Sequence, residues 1–173
     1  MQIAFQLDEG DLVALSVYHA QHSPATLRRV RRVRLLIGVL LAFLAVVYGL
    51  LFSSVLAAAV IAVLDLVLVF LWPRLWLRSY QRVTLENYRQ GRNRALLSSH
   101  TLELLEDGLL QRSEWTETKL RWPAVERLES TPDHTFVYTT SVSAIIIPRQ
   151  NVRRGDYGAF VAELRARLAE ASA

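Results

Sequence analysis

Asp65 lies near the middle of an otherwise apolar run, residues 55–72, where an ionised carboxylate costs at least a few kcal/mol in hydrocarbon. Three uses fit such a group: a contact with a partner helix in an oligomer or another membrane protein, a protonated acid hydrogen-bonded locally, or a proton or ion path. A path needs more helices and several polar groups, and the polar residues nearest this run are Ser53 and Ser54 at its end. His19 and His22, three apart, could share a helix face and begin a metal site, but no third ligand follows nearby, so structural or solvated roles are expected. His100 and His134 stand alone at the starts of strand-like segments. Glu103, Glu106 and Asp107 cluster where a turn is expected, the ordinary place for solvated acids. No phosphate-binding loop, dinucleotide fingerprint, zinc-protease helix or serine-nucleophile elbow occurs. With no cysteines, disulfides, thiolate metal sites and cysteine nucleophiles are excluded together. The expectation is a non-enzymatic protein without a cofactor or metal.

The second constellation belongs to a membrane surface. Trp72, Trp76 and Tyr80 recur every four residues, and Arg74, Arg78 and Arg82 do so two positions along, about 200° round a helix. Aromatic rings favour the headgroup level, and arginines attract anionic lipids at roughly 1 kcal/mol each near the surface. Arg31, Arg32 and Arg34, with Arg28 and Arg29, form a matching cluster upstream. Arg31, Arg32, Arg34, Trp72, Arg74, Trp76, Arg78 and Arg82 are therefore expected to be interfacial and lipid-facing, with anionic headgroups as partners. All but one of the 20 Lys and Arg residues are arginine, Lys119 being the exception, so arginine richness at any one place carries reduced weight. The pI of about 9.8 would suit nucleic acid, but base-stacking aromatics and a dedicated motif are missing, and no nucleic-acid partner is expected.

Two apolar runs position these groups. Residues 35–52 and 55–72 each cover about 18 positions, or just under about 30 Å of helix, close to the hydrocarbon thickness of a bilayer. Only Ser53 and Ser54 separate them, which implies a helical hairpin, since one continuous helix of about 38 residues would overshoot the bilayer. Arginines flank the outer ends and the connecting turn is uncharged. That asymmetry predicts a two-pass protein of a cell inner membrane with both termini cytoplasmic. No cleaved signal peptide is expected, because the first run begins far from the start and is longer than a signal's apolar core.

The remaining segments suggest a small α+β unit. Ile3, Phe5 and Leu7 alternate with polar or small residues, as in a half-buried strand, and a helix carrying Leu12, Val13, Leu15, Val17 and Tyr18 should end at Ser23-Pro24. Pro73 can open a renewed or kinked helix, expected as a juxtamembrane helix over 74–98. Strands are expected over 100–105, 109–112, 118–122, 125–130, 135–139 and 144–147, the first two joined at Glu106-Asp107-Gly108. Tyr157, Phe160, Val161, Leu164 and Leu168 then give a closing amphipathic helix. The division reads as 1–27, an N-terminal strand and helix joining the cytoplasmic domain; 28–73, the hairpin; 74–98, the juxtamembrane helix; and 99–173, an antiparallel β domain with a C-terminal helix. An unpaired N-terminal strand would expose backbone groups and an apolar face. It is expected to join the later sheet, with its helix beside the closing one.

The order of parts, with Leu105-Glu106-Asp107-Gly108, Arg121-Trp122-Pro123-Ala124-Val125 and Ala144-Ile145-Ile146-Ile147-Pro148-Arg149, resembles the YcxB-like family of bacterial membrane proteins. The resemblance implies a two-helix anchor joined to a pleckstrin-homology-like cytoplasmic domain, and it brings no catalytic residues. The function expected is a membrane-tethered interaction module whose cytoplasmic domain binds a protein or lipid partner. The alternative is a two-helix regulatory or immunity-type subunit of a membrane complex, assembling through Asp65 and the helices, as a homo-oligomer or with another protein.

Overall fold

The computed structural model describes residues 1–90 and 96–171. In chain order these form β1 (Gln2–Gln6), α1 (Glu9–His22), α2 (Pro24–Phe52) and α3 (Val55–Gln90), followed by β2 (Ser99–Leu104), β3 (Gly108–Ser113) and β4 (Glu117–Arg121). A single 3-10 turn (Trp122–Ala124) leads to β5 (Arg127–Ser130), β6 (His134–Tyr138), β7 (Ala144–Pro148), β8 (Val152–Arg154) and α4 (Tyr157–Ala171). They divide into two compact units, one of residues 17–83 and the other of residues 1–16 with the chain from Thr84 onward.

The helical unit is made by local signals. Ser23 ends one helix and starts the next: its backbone is extended, its Oγ accepts from the N–H of Thr26, and Pro24 occupies the first turn, where a missing N–H costs nothing. At the other end Ser53 adopts a left-handed conformation (φ 50°) that terminates α2, and Ser54 Oγ accepts from the N–H of Ala57 to cap α3. Two serines are enough to reverse the chain. Both helices are long and apolar enough to cross a membrane. They approach closely at glycines: a Cβ on Gly38 would lie 3.2 Å from Val69 Cγ2, and one on Gly49 3.1 Å from the Cβ of Ala58. Small residues of this kind let membrane helices pack backbone to backbone. This antiparallel register sets Asp65 level with Ala42, one turn from Ala45, the buried residue of α2.

One expectation is corrected here. Pro73 does not divide the second span from a juxtamembrane helix, because α3 runs unbroken for 36 residues through it. Proline removes one N–H and crowds one carbonyl, and the strong helix formers on either side carry the helix past that defect. Of the 74–98 stretch, residues 91–95 lie outside the described residues, and Leu96 and Leu97 form a turn.

The β unit is built from both ends of the chain. All of its strand pairs are antiparallel, in a five-stranded sheet of order β4-β3-β2-β1-β8 and a three-stranded sheet of order β5-β6-β7. β1 is an interior strand: Ile3 pairs with Leu102 and Phe5 with His100 on one side, and Phe5 with Val152 on the other. Its alternation sends Ile3, Phe5 and Leu7 into a core shared with Leu102, Leu104, Leu109, Phe136, Ile147, Phe160 and Leu164, all buried. Full burial of one such side chain contributes about 1.5–3 kcal/mol, which accounts for a strand pairing across a separation of nearly a hundred residues.

The strands expected from sequence are present with three differences. Trp122 leaves β4 for the 3-10 turn, where Pro123 cannot donate to a ladder; its indole is buried and its Nε1–H donates to the carbonyl of Glu106 at 3.0 Å. Val125 closes that turn, so β5 begins at Arg127. β8 was not expected, since three residues, two of them arginine, carry no readable alternation. Asp11 in the first turn of α1 ties the N-terminal helix to β6 and to the β7–β8 connection.

Candidate functional site

In the helical unit the polar groups sort by face. Trp72, Trp76 and Tyr80 are half-buried along the same side of α3 as Asp65, with the rings of Trp76 and Tyr80 stacked 5.4 Å apart. Arg74, Arg78 and Arg82 are exposed on the other side, Arg74 lying 5.3 Å over the Phe70 ring. On α2, Arg31 and Arg32 are exposed and Arg34 half-buried. None of these arginines is ion-paired among the described residues. Asp65 is half-exposed as a residue, yet its Oδ1 is shut off from the surface without a hydrogen-bond partner, and the same holds for the Nε1–H of Trp72. A buried polar atom left unpaired costs about 1–3 kcal/mol. These two groups are the unresolved chemistry of the hairpin.

In the β unit a cluster forms between residues far apart in the chain, Asp8 and Asp11 with His134 and Asn151. Asp8 and Asp11 make a reciprocal capping box at the start of α1: Asp8 Oδ1 accepts from the N–H of Asp11 at 2.9 Å, and Asp11 Oδ2 accepts from the N–H of Asp8 at 2.8 Å. The free oxygen of Asp11 then receives His134 Nε2 at 2.8 Å, and Asn151 Nδ2 donates to both aspartates. Burial alone would push the Asp11 carboxyl up, but the bond from His134, with those from the Asp8 amide and Asn151, outweighs it and holds the group below the usual aspartate value. An open cleft of about 270 Å³ beside the pair is lined by Asp8, Asp133, Gln150 and Asn151.

A carboxylate orienting an imidazole is half of a hydrolytic triad. The nearby hydroxyls are committed elsewhere. Thr131 Oγ1 donates to the carbonyl of His134, and Thr135 Oγ1 is bonded to Tyr157 Oη at 2.7 Å and to Ser130 Oγ at 3.2 Å. The Asp11–His134 pair is therefore a clasp between the segment before the hairpin and the domain after it. A second such tie joins α1 to the end of α3, where Arg89 Nε lies 2.7 Å from Glu9 Oε2 and the Ser16 and Tyr88 hydroxyls meet at 3.2 Å.

The other sequence candidates are placed in ordinary roles. His22 is bonded through Nδ1 to the carbonyl of Tyr18 and stacks on its ring. His100 is buried in β2, bonded to the carbonyl of Leu96 and to Gln111. Glu103 pairs with Arg112 and Asp107 with Lys119 on the exposed sheet surface. Arg127 packs 3.8 Å over the Tyr138 ring, its register partner, where burial pushes the phenol up and the guanidinium offsets part of the rise. Of the large apolar side chains described in the β unit, Met1, Leu96, Trp115 and Val142 stand in solvent; the two most exposed lie near strand turns, Trp115 between β3 and β4 and Val142 between β6 and β7.

Residues 104–164 match the family described as YcxB-like protein. The YcxB-like match thus runs from the last residue of β2 into α4, and leaves β1, α1 and the apolar hairpin outside it. No curated protein and no solved structure matches the chain.

Proposed function

We propose that this chain is a non-enzymatic, membrane-tethered interaction module, in which the hairpin spans the inner membrane and a pleckstrin-homology-like domain at its cytoplasmic face binds a protein or lipid partner. The observation that carries the reading is the pairing of β1 with β2 and β8. Residues on both sides of the hairpin belong to one sheet, so both ends of the hairpin return to the same side, as the arginine flanks demand. Two antiparallel sheets followed by a C-terminal helix support the pleckstrin-homology-like reading. The unpaired arginines hold the tether at an anionic surface. The exposed Trp115 and Val142 turns supply apolar contact for a partner.

The test places a photo-crosslinking amino acid at position 115, 142 or 66 of the full chain in native membranes. Discrete protein or lipid adducts at 115 or 142 support the module. Adducts arising only at 66, within the span, would transfer the function to the helices. The unpartnered Asp65 carboxyl favours that second reading, in which the hairpin itself assembles into a complex.

A further inference from the structure

Charge is divided unevenly along the chain. Residues 17–83 carry eight arginines against one acid, Asp65, a net +7. Residues 1–16 with the chain from Thr84 onward carry twelve Lys and Arg against fifteen Asp and Glu, a net −3 within the overall +4. An anionic lipid surface attracts the first unit and repels the second. The β unit suits a partner of positive charge.

The same sign holds at the turn between β3 and β4. Glu114, Trp115, Thr116 and Glu117 are all exposed there, Trp115 by 65%. Ser113 fixes the turn: its N–H donates to the carbonyl of Thr116 at 2.8 Å, and its Oγ accepts from the N–H of Thr116 at 3.0 Å and of Trp115 at 3.3 Å. An indole held out on an ordered turn loses little freedom when it is covered. Beside it, Glu103 and Glu117 share Arg112, and Glu114 is in no ion pair among the described residues, which leaves two negative charges uncompensated. Elsewhere in this unit arginines cover aromatic faces, Arg127 over Tyr138 and Arg149 over Tyr157, but among the described residues no guanidinium covers Trp115. Indole is the best of the aromatic faces for a cation. We propose that the Trp115 turn binds a Lys- or Arg-bearing segment of a partner protein, with a cation over the indole and the carboxylates of Glu114 and Glu117 beside it. The inference rests on the module reading above and names the chemistry of its partner, a basic polypeptide and not an anionic lipid.

Full-length protein in phosphatidylcholine nanodiscs is titrated with a fluorescent peptide of alternating arginine and serine, and binding is read by anisotropy. A peptide of alternating glutamate and serine is the control. The basic peptide is expected to bind, more weakly as salt is raised, and the acidic one not to bind. Trp115→Ala should weaken binding by about fivefold or more, and Trp115→Phe by less, since the smaller ring keeps a π face. Glu114→Gln should weaken it by about 2- to 3-fold. Glu170→Gln removes the same charge beside Glu106 and Trp122, at the other end of the five-stranded sheet from Ser113, and should leave binding within about twofold. No binding of the basic peptide, equal binding by Trp115→Ala and wild type, or equal losses in Glu114→Gln and Glu170→Gln would each overturn the proposal. Photo-crosslinking from position 115 in native membranes separates the occupants. Adducts with lipid or with a second copy of this chain overturn the basic partner while leaving the module reading in place, whereas adducts only at position 66 remove the module itself.

Discussion

Replacing Asp11 by alanine should loosen β1 and α1 from the rest of the β unit, and the size of the effect follows from what the carboxylate holds. It accepts from half-buried His134 at 2.8 Å, from the Asp8 amide at 2.8 Å and from Asn151 at 3.4 Å, and it is itself buried. A hydrogen bond to a charged group contributes about 1.5–3 kcal/mol, and removing one member of a buried pair costs about 3–5 kcal/mol because the other is left unsatisfied. We expect about 3 kcal/mol, at the lower end, since the Asn151 contact is long and the clasp borders an open cleft. At about 1.4 kcal/mol per decade this is roughly a hundredfold increase in the opening equilibrium. Native-state hydrogen exchange with mass spectrometry, read on peptides covering residues 1–16 and 134–138, measures it directly. A cycle with His134→Ala should give a coupling of at least about 1 kcal/mol, with the double variant little worse than either single one. Unchanged exchange in Asp11→Ala, or coupling below about 0.5 kcal/mol, would refute the clasp.

Four further outcomes follow from the same contacts. The Asp11 carboxyl lies lower in the folded chain than the unfolded value of about 3.9, so its stabilisation is complete above about pH 4 and is lost as pH falls through the folded value; acid unfolding of Asp11→Asn should lack this component. Gly108→Ala should destabilise the β3–β4 pair by about 1–3 kcal/mol in thermal unfolding, because its Cβ would lie 2.1 Å from the carbonyl oxygen of Leu120. Ser53→Cys should be labelled by an impermeant reagent from outside the cell and Gln21→Cys and Ser141→Cys only from the cytoplasmic side; labelling of position 53 from the cytoplasm alone would reverse the orientation. A fragment of residues 100–173 should aggregate, whereas the same fragment joined to residues 1–22 by a flexible linker should be soluble, because only the second restores the strand between β2 and β8.

The sequence by itself determined what depends on neighbours along the chain. The length of two apolar runs, their serine junction and the arginine flanks defined the hairpin, because crossing a bilayer is decided segment by segment. Most strands were legible for the same reason: alternation and turn residues act over four to eight positions. Even the return of β1 to the sheet could be argued, since an apolar strand cannot remain unpaired. Only the tertiary structure decided which strand it joins, that β8 exists, that Trp122 turns out of β4, and that α3 continues through Pro73. The clasp lay furthest from view. Asp11 and His134 are 123 residues apart, and each taken alone is an ordinary cap or an ordinary strand residue. Their bond exists because β1 sits between β2 and β8, which brings the start of α1 to the start of β6, and no local pattern records where a distant strand will begin.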